Sequence, residues 1–198
     1  GLPYRFLIRP SLRFIDSERA HNLTVNALTK MAENRPAQKI LNSIYGTPNL
    51  PITVFGKLFR HPLGLAAGFD KSAQAIGAWP ALGFSWVEYG GVTRYPQEGN
   101  AKPRMFRSNK DNALINRMGF NGKGLGYLLN QLSRAKQHVP IGINLGRNAT
   151  TSNENAWRDY VTGLRAVYGV ADYVTINISS PNTTGLRDLQ EGESLNLL

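Results

Sequence analysis

From residue 51 onward the chain alternates short apolar runs with segments of helical periodicity, and this alternation constrains the fold more than any other feature. The runs end in glycine or polar residues: "HPLGLAAGFDK", "FSWVEYGGVT", "VPIGINLGRN" and "DYVTINISSPN". Strands that read as nearly continuous apolar runs are buried on both faces, and such strands separated by helices pair in parallel. The spacing predicts helices over 72–82, 121–137 and 153–169. The last is bounded by Thr151 or Ser152 and by Gly169, with Trp157, Tyr160, Val161, Leu164 and Val167 near helical spacing. The expected class is α/β with a parallel sheet, of the kind that closes into a (β/α) barrel.

Residues 1–50 follow a different pattern. Asp16 or Ser17 can cap a stretch that places Leu23, Ala27, Leu28 and Met31 on one face, and Pro36 opens a second stretch with Ile40, Leu41 and Ile44, closed by Gly46. The chain therefore divides into an amphipathic helical hairpin, 1–50, and a β/α region, 51–198. Within the hairpin segment, Leu2, Phe6, Leu7, Ile8, Leu12, Phe14 and Ile15 supply apolar surface, while Arg5, Arg9 and Arg13 recur every four residues.

Composition narrows the chemistry. No apolar run is long enough to span a bilayer. A formal charge of +10 favours phosphates, anionic lipid, acidic substrates or nucleic acid, without choosing among them. With Cys 0 there is neither a thiolate metal site nor a cysteine nucleophile, and His21, His61 and His138 are too far apart for a local metal motif, so no metal is expected. The first residues lack a secretory signal pattern, and with no initiator Met the expectation is that an N-terminal segment has been removed.

In (β/α) barrels the chemistry sits at the C-terminal ends of the strands. Here those ends read Ala67-Gly68-Phe69-Asp70-Lys71, Gly90-Gly91-Val92-Thr93, Asn144-Leu145-Gly146 and Asn177 to Asn182, with few carboxylates. Glycines let backbone approach a flat ring, asparagines offer donor and acceptor together, and the lysine supplies positive charge. A planar heterocycle with amide edges suits this surface. For any single glycine or asparagine, strand termination or loop satisfaction is an equally good reading.

Five stretches in order, "LAAGFDK", "GNAKPRMFR", "INRMGFN", "GINLGRN" and "NISSPNTTGLRDLQ", resemble dihydroorotate dehydrogenases, in particular the quinone-linked, membrane-associated class 2 enzymes. The resemblance runs from about Phe14 to the end of the sequence. It implies a (β/α)8 TIM barrel holding FMN, of which about the first four β/α units are present after the N-terminal hairpin. It also implies oxidation of dihydroorotate to orotate in pyrimidine biosynthesis, with electrons passed to a membrane quinone.

The resemblance assigns roles residue by residue. Ser180 matches the base that removes the C5 proton, where the soluble class 1 enzymes carry a cysteine; Thr183 is its relay partner and Phe120 flanks the path. Ser179 reads as a turn or cap before Pro181. Lys71, Asn116, Asn177 and Asn182 match the substrate positions, with Met118, Gly119 and Phe120 closing over the ring. Ala66, Ala67, Gly68, Gly91, Asn144 and Asn177 match positions lining the flavin. The family commonly has threonine where this chain has Gly91, which removes any hydroxyl contact there. His21 and Arg107 match the quinone site, and the hairpin becomes an apolar path from the bilayer, with Arg5, Arg9 and Arg13 meeting an anionic lipid surface. The expected location is peripheral, on a bacterial inner membrane (cytoplasmic face) or a mitochondrial inner membrane.

Two other readings of these residues stand beside this one. Another FMN barrel, such as a class 1 enzyme or a dihydrouridine synthase, would also account for the charge, but Ser180, the absence of Cys and the hairpin favour class 2. A nucleic-acid-binding module could use Arg94, Lys102, Arg104, Arg107 and Lys110 with Tyr95 and Phe106, although no RNA-binding signature accompanies them, and no nucleic-acid partner is expected. Because a (β/α)8 barrel takes about 250 residues, the sequence is expected to be part of a longer chain, broken near a loop after residue 190, and inactive on its own.

Overall fold

The computed structural model describes residues 4–135 and 139–196. Leu2, His138 and the predicted helical positions Lys136 and Gln137 lie outside the described residues. A π-helical turn, Tyr4–Ile8, runs into α1 (Arg9–Leu12), followed by α2 (Ser17–Ala32) and α3 (Arg35–Tyr45). Asp16 starts α2 by accepting a hydrogen bond from the Arg19 amide at 2.9 Å. Asn34 does the same for α3 through the Ala37 amide at 3.0 Å, with Pro36 in the first turn. The buried stripe of α2 is rotated from the predicted one: Ala20 and Val25 are buried and Leu28 is half-buried, while Leu23 and Ala27 are exposed. The rotation follows from what α2 packs against, namely α3 and the elements described next. On α3 only Leu41 is buried, and Ile40 and Ile44 stay 60% and 64% exposed, so an apolar face is left uncovered.

Two antiparallel hairpins were not legible in the sequence pattern. The first joins β1 (Ile52–Val54) to β2 (Lys57–Phe59) through Phe55 and Gly56, both at positive φ, as a two-residue hairpin turn of the favoured hand requires. After it the run "HPLGLAAGFDK" contributes a single parallel bridge, Leu65 to Val87, rather than a full strand. Its backbone still tracks the next strand, with Leu65 N–H donating to Trp86 O at 3.0 Å and Gly68 N–H to Gly90 O at 2.6 Å. Regularity is lost where Gly64 makes room for the Trp86 ring and where Gly68 takes φ +104. The helix expected over 72–82 is reduced to turns and α4 (Ala78–Ala81), because the Asp70 carboxylate captures the amides of Gln74 and Ala75.

Next come β3 (Val87–Val92), the hairpin of β4 (Met105–Ser108) and β5 (Ala113–Asn116), then α5 (Gly124–Arg134), β6 (Ile141–Gly146), α6 (Ala156–Val167), β7 (Tyr173–Asn177) and α7 (Gly192–Asn196). A 3-10 turn, Asn153–Asn155, occupies the predicted start of α6. Strands β3, β6 and β7 form a parallel sheet in that order, the chain order of a wound β/α unit. Alternation puts Val87, Tyr89, Ile141, Ile143 and Leu145 on one face, in one core with Leu125, Leu128 and Leu132 of α5 and Ala156, Tyr160 and Val167 of α6. Truncating a fully buried residue such as Leu128 would cost about 2–5 kcal/mol. The other face carries Glu88, Asn144 and Tyr173, and α2 packs against β4 of the second hairpin.

Candidate active site

A cleft of about 1210 Å³ opens at the C-terminal ends of the strands. Of the residues singled out in the sequence it is lined by Ala66, Ala67, Gly68, Lys71, Gly91, Asn116, Met118, Gly119, Phe120, Asn177, Ser180 and Asn182, together with His21 and Arg107. Asn144 and Thr183 are buried and do not line it. Elements far apart in the chain thus deliver to one space the groups that the motifs contain.

Lys71 and Asp70 are neighbours with opposite duties. Asp70 is 1% exposed and accepts from Gln74 N at 2.8 Å, Ala75 N at 2.9 Å and Trp79 Nε1 at 3.0 Å. It fixes the turn from which Lys71 projects into the cleft, where the Lys71 ammonium donates to Asn121 Oδ1. Burial, reinforced by the positive charge of Arg104 and partly offset by Glu18, pulls the Lys71 ammonium down to about 8. A lysine in that condition gains from an anion brought beside it. His21, from α2, sets its ring edge-on to Phe69 at 4.9 Å, and Phe69 in turn meets Trp79 at 5.5 Å. Burial and the nearby Lys71 lower the His21 pKa against the opposing charges of Asp70 and Glu18.

The strand ends carry a directed line of amides. Asn144 Nδ2 donates to Glu88 Oε1 at 2.8 Å, Asn177 Nδ2 donates to Asn144 Oδ1 at 3.0 Å, and Asn177 Oδ1 accepts from Ser179 N and Oγ, both at 3.2 Å. Ser179 is therefore tied into the turn, while Ser180 lines the cleft with its Oγ accepting, among the described residues, only from Asn182 N at 3.3 Å. The Thr183 hydroxyl is buried and has no hydrogen-bond partner among the described residues.

Residues that sequence reasoning passed over hold the loops in place. Asn100 donates to Arg117 O at 2.9 Å and to Asn182 O at 3.0 Å, joining the 116–120 loop to the loop after β7. Gln97 Nε2 bonds Gly119 O at 3.0 Å, and its Oε1 accepts from Asn148 Nδ2 at 2.9 Å. Arg104, one of the cations of the nucleic-acid reading, is buried and forks onto Glu18, with Nη2 to Oε1 at 2.7 Å and Nε to Oε2 at 3.0 Å. This pair, rather than an apolar stripe, fastens the start of α2 beside the cleft. Arg107 donates to Leu12 O at 2.7 Å, so it supports the turn after α1 as well as lining the cleft. Arg9 bonds Asn112 at the tip of the β4–β5 hairpin and stays exposed. The motif "GNAKPRMFR" contained Asn100 and Arg104; only their partners, distant in sequence, were invisible.

The groups present fit a flat ring with amide edges. A Cβ at Gly68 would meet nothing within 4 Å, so its backbone edge is open. A Cβ at Gly91 would come within 2.6 Å of the Phe120 ring and 3.3 Å of Asn144 Oδ1, so glycine there lets Phe120 lie against the strand end, and a threonine would force that ring to move. Among the described residues no cluster of His, Asp or Glu is arranged to hold a metal ion, and no helix is long and apolar enough to cross a membrane.

The family model described as dihydroorotate dehydrogenase matches residues 49–198. A dihydroorotate dehydrogenase (quinone) of Psychrobacter sp. (strain PRwf-1) is 50% identical over 189 residues, 96% of this chain and 54% of that protein. One from Methylococcus capsulatus (strain ATCC 33009 / NCIMB 11132 / Bath) is 47% identical over 195 residues, 98% of this chain and 56% of that protein. Among solved structures, a DHODH from Eimeria tenella crystallised with ferulenol has a TM-score of 0.78 and 39% identity, covering 92% of this chain and 49% of that one. The chain spans about half the length of the curated relatives it matches.

Proposed function

Because the chain belongs to the dihydroorotate dehydrogenase family, with quinone-linked relatives at about half identity, we propose that it forms the first half of an FMN-containing (β/α)8 barrel oxidising dihydroorotate to orotate in pyrimidine biosynthesis, with a membrane quinone as final acceptor. The observation that carries this reading is the convergence of Lys71, Asn116, Asn177, Ser180 and Asn182 on one cleft with the open backbone of Ala66 to Gly68. Forming the C5=C6 bond removes a hydride from C6 and a proton from C5, and FMN supplies the hydride acceptor when bound.

Ala66, Ala67, Gly68, Gly91, Asn144 and Asn177 would hold the flavin ring. Lys71 faces the substrate carboxylate, and the neutralising anion offsets the strain of a buried ammonium. Asn116, Asn177 and Asn182 pair with the pyrimidine edge, and Met118, Gly119 and Phe120 exclude water from above. Ser180 Oγ takes the C5 proton as its own hydroxyl proton leaves by way of the Thr183 hydroxyl, three residues on in the same loop and without a partner among the described residues, to solvent. His21 and Arg107 flank the quinone entrance, for which the exposed Leu23, Ile40 and Ile44 offer an apolar approach from an anionic bilayer surface. The protein would sit peripherally on that membrane.

The test uses the full-length protein. Purified under mild detergent, it should carry a yellow flavin absorbance that bleaches anaerobically on adding dihydroorotate and returns on adding a quinone. A flavin that dihydroorotate leaves oxidised would overturn the reading.

A further inference from the structure

The charged side chain on the inner face of the sheet that the proposed chemistry does not use is Glu88, in the second residue of β3. It does not stand free. Its Oε2 accepts from the Tyr173 hydroxyl at 2.9 Å and its Oε1 from Asn144 Nδ2 at 2.8 Å. Tyr173 starts β7, two strands away, and reaches Glu88 by crossing Gly142 of β6, where a Cβ would lie 2.2 Å from the tyrosine ring. Three strands are thus committed to bringing two donors to one carboxylate.

A carboxylate with two donors facing it only accepts, whereas an asparagine amide can point either way. Glu88 therefore obliges Asn144 to turn its Nδ2 inward and its Oδ1 toward β7. Asn144 Oδ1 then obliges Asn177 to present Nδ2, at 3.0 Å, which leaves Asn177 Oδ1 for Ser179 N and Oγ at 3.2 Å. Tyr160 OH fixes the Asn177 backbone from the other side, donating to its carbonyl at 3.0 Å. Burial first, and then the bond to Glu88 and its charge, raise the Tyr173 pKa, which keeps that hydroxyl a donor.

We propose that Glu88 is a positioning residue that sets the donor–acceptor direction of Asn144 and Asn177, and so the pattern of hydrogen-bonding groups shown to the flavin ring and the anchoring of the turn that carries Ser180. The proposal rests on the flavin reading above. It differs from a packing role in one respect: the acceptor-only character of the side chain matters, not its volume or its bond count.

The experiment uses the full-length holoenzyme and compares Glu88→Gln with Tyr173→Phe. Both remove a favourable contact at Glu88, but only the glutamine can donate and so release the amide direction. Glu88→Gln should weaken FMN binding about tenfold, roughly the worth of one mispaired buried hydrogen bond. It should also shift the flavin absorption band and lower kcat more than it changes KM. Tyr173→Phe should keep FMN affinity and the band close to wild type. Unchanged flavin properties in Glu88→Gln, or an equal loss in Tyr173→Phe, would overturn the proposal. If Glu88→Gln does not fold, neutron diffraction on the wild-type holoenzyme decides directly: deuterons on Asn144 pointing to Glu88 and on Asn177 pointing to Asn144 support it, and either amide reversed refutes it. A wild-type protein that binds FMN but ignores dihydroorotate would count against the enzymatic reading alone, since FMN affinity and amide direction are read without turnover.

Discussion

The indole Nε1 of Trp79 donates to the Asp70 carboxylate at 3.0 Å, closing a set of three donors around one buried acidic side chain. In the run "GFDK" the aspartate therefore works as a brace, and the residues on either side of it face outward: Phe69 to His21 and Lys71 to the cleft.

Removing that brace should cost more than removing one donor. Asp70→Ala orphans three N–H groups, two of them buried, and should destabilise the full-length protein by about 2–4 kcal/mol, whereas Trp79→Phe removes one bond and keeps the ring contact, at about 1 kcal/mol. Urea midpoints for the two variants check the order. Equal midpoints, or a larger loss for Trp79→Phe, would show that Asp70 is not the organising group.

Lys71 predicts a pH dependence whose sign can be worked out. Its folded, ligand-free pKa is about 8, below the usual 10.5 because of burial. An orotate carboxylate beside it raises that value, so binding takes up a proton once the free lysine has lost it. Orotate affinity should be fully present below about pH 8 and fall above it, by up to about tenfold per pH unit. Lys71→Ala should bind weakly and without that slope. Calorimetry in buffers of different ionisation enthalpy measures both affinity and proton uptake; a flat wild-type profile between pH 7 and pH 9.5 would remove Lys71 from the carboxylate site. For the ligand-free protein the same shift has the opposite tendency. The unfolded lysine binds more protons between about 8 and 10.5, so this contribution to stability improves as pH rises through that window.

The parallel β/α order was readable because its apolar runs end at Asn144 and Asn177, whereas Asn116 and Met118 to Phe120 were legible only through the family resemblance, since they end or follow a hairpin that left no pattern. The short elements were not. The strand expected at "HPLGLAAGFDK" shrank to one bridge because Gly64 and Gly68 serve a neighbouring tryptophan and an open backbone edge, a demand set by Trp86 more than twenty positions away. Helix 72–82 gave way to turns because Asp70 competes for the amides that a first helical turn would leave free. Hairpin β4–β5 is exposed along its length on β5, so no alternation marked it. Asn100 and Arg104 were in plain sight in "GNAKPRMFR", but their roles depend on Asn182 and Glu18, and pairings across 82 and 86 positions leave no local pattern.

The two adjacent serines should separate cleanly. Ser180 lines the cleft and Ser179 is bonded to Asn177, so Ser180→Ala should slow anaerobic flavin reduction by about 10²–10⁴-fold, the usual worth of general-base help. Ser179→Ala retains the backbone bond to Asn177 and should stay within several-fold of wild type. Stopped-flow reduction by dihydroorotate measures both. Comparable losses in the two variants would mean that the turn's shape, and not the Ser180 hydroxyl, limits the step.

The Glu18–Arg104 pair makes the final prediction, because it ties the helix bearing His21 to the strand ends. Arg104 is 5% exposed and keeps carbonyl partners at Glu98 and Asn100, so removing Glu18 leaves the cation partly satisfied. Glu18→Ala should cost about 3 kcal/mol, the lower end for a broken buried pair. The hydrogen bond from Arg104, with its charge and that of Lys102, holds the Glu18 carboxyl below its usual 4.5 against the opposing effect of burial. The pair's contribution is thus fully present above about 4.5 and lost as pH falls through the lowered value. If α2 and α3 form the quinone entrance, the loosened variant should reduce its flavin with dihydroorotate at close to the wild-type rate while passing electrons to a long-tailed quinone much more slowly. A short soluble quinone, which needs no apolar approach, should recover most of the lost rate. Equal slowing with both quinones, or a matching fall in flavin reduction, would show that the pair supports the barrel as a whole and does not serve the entrance.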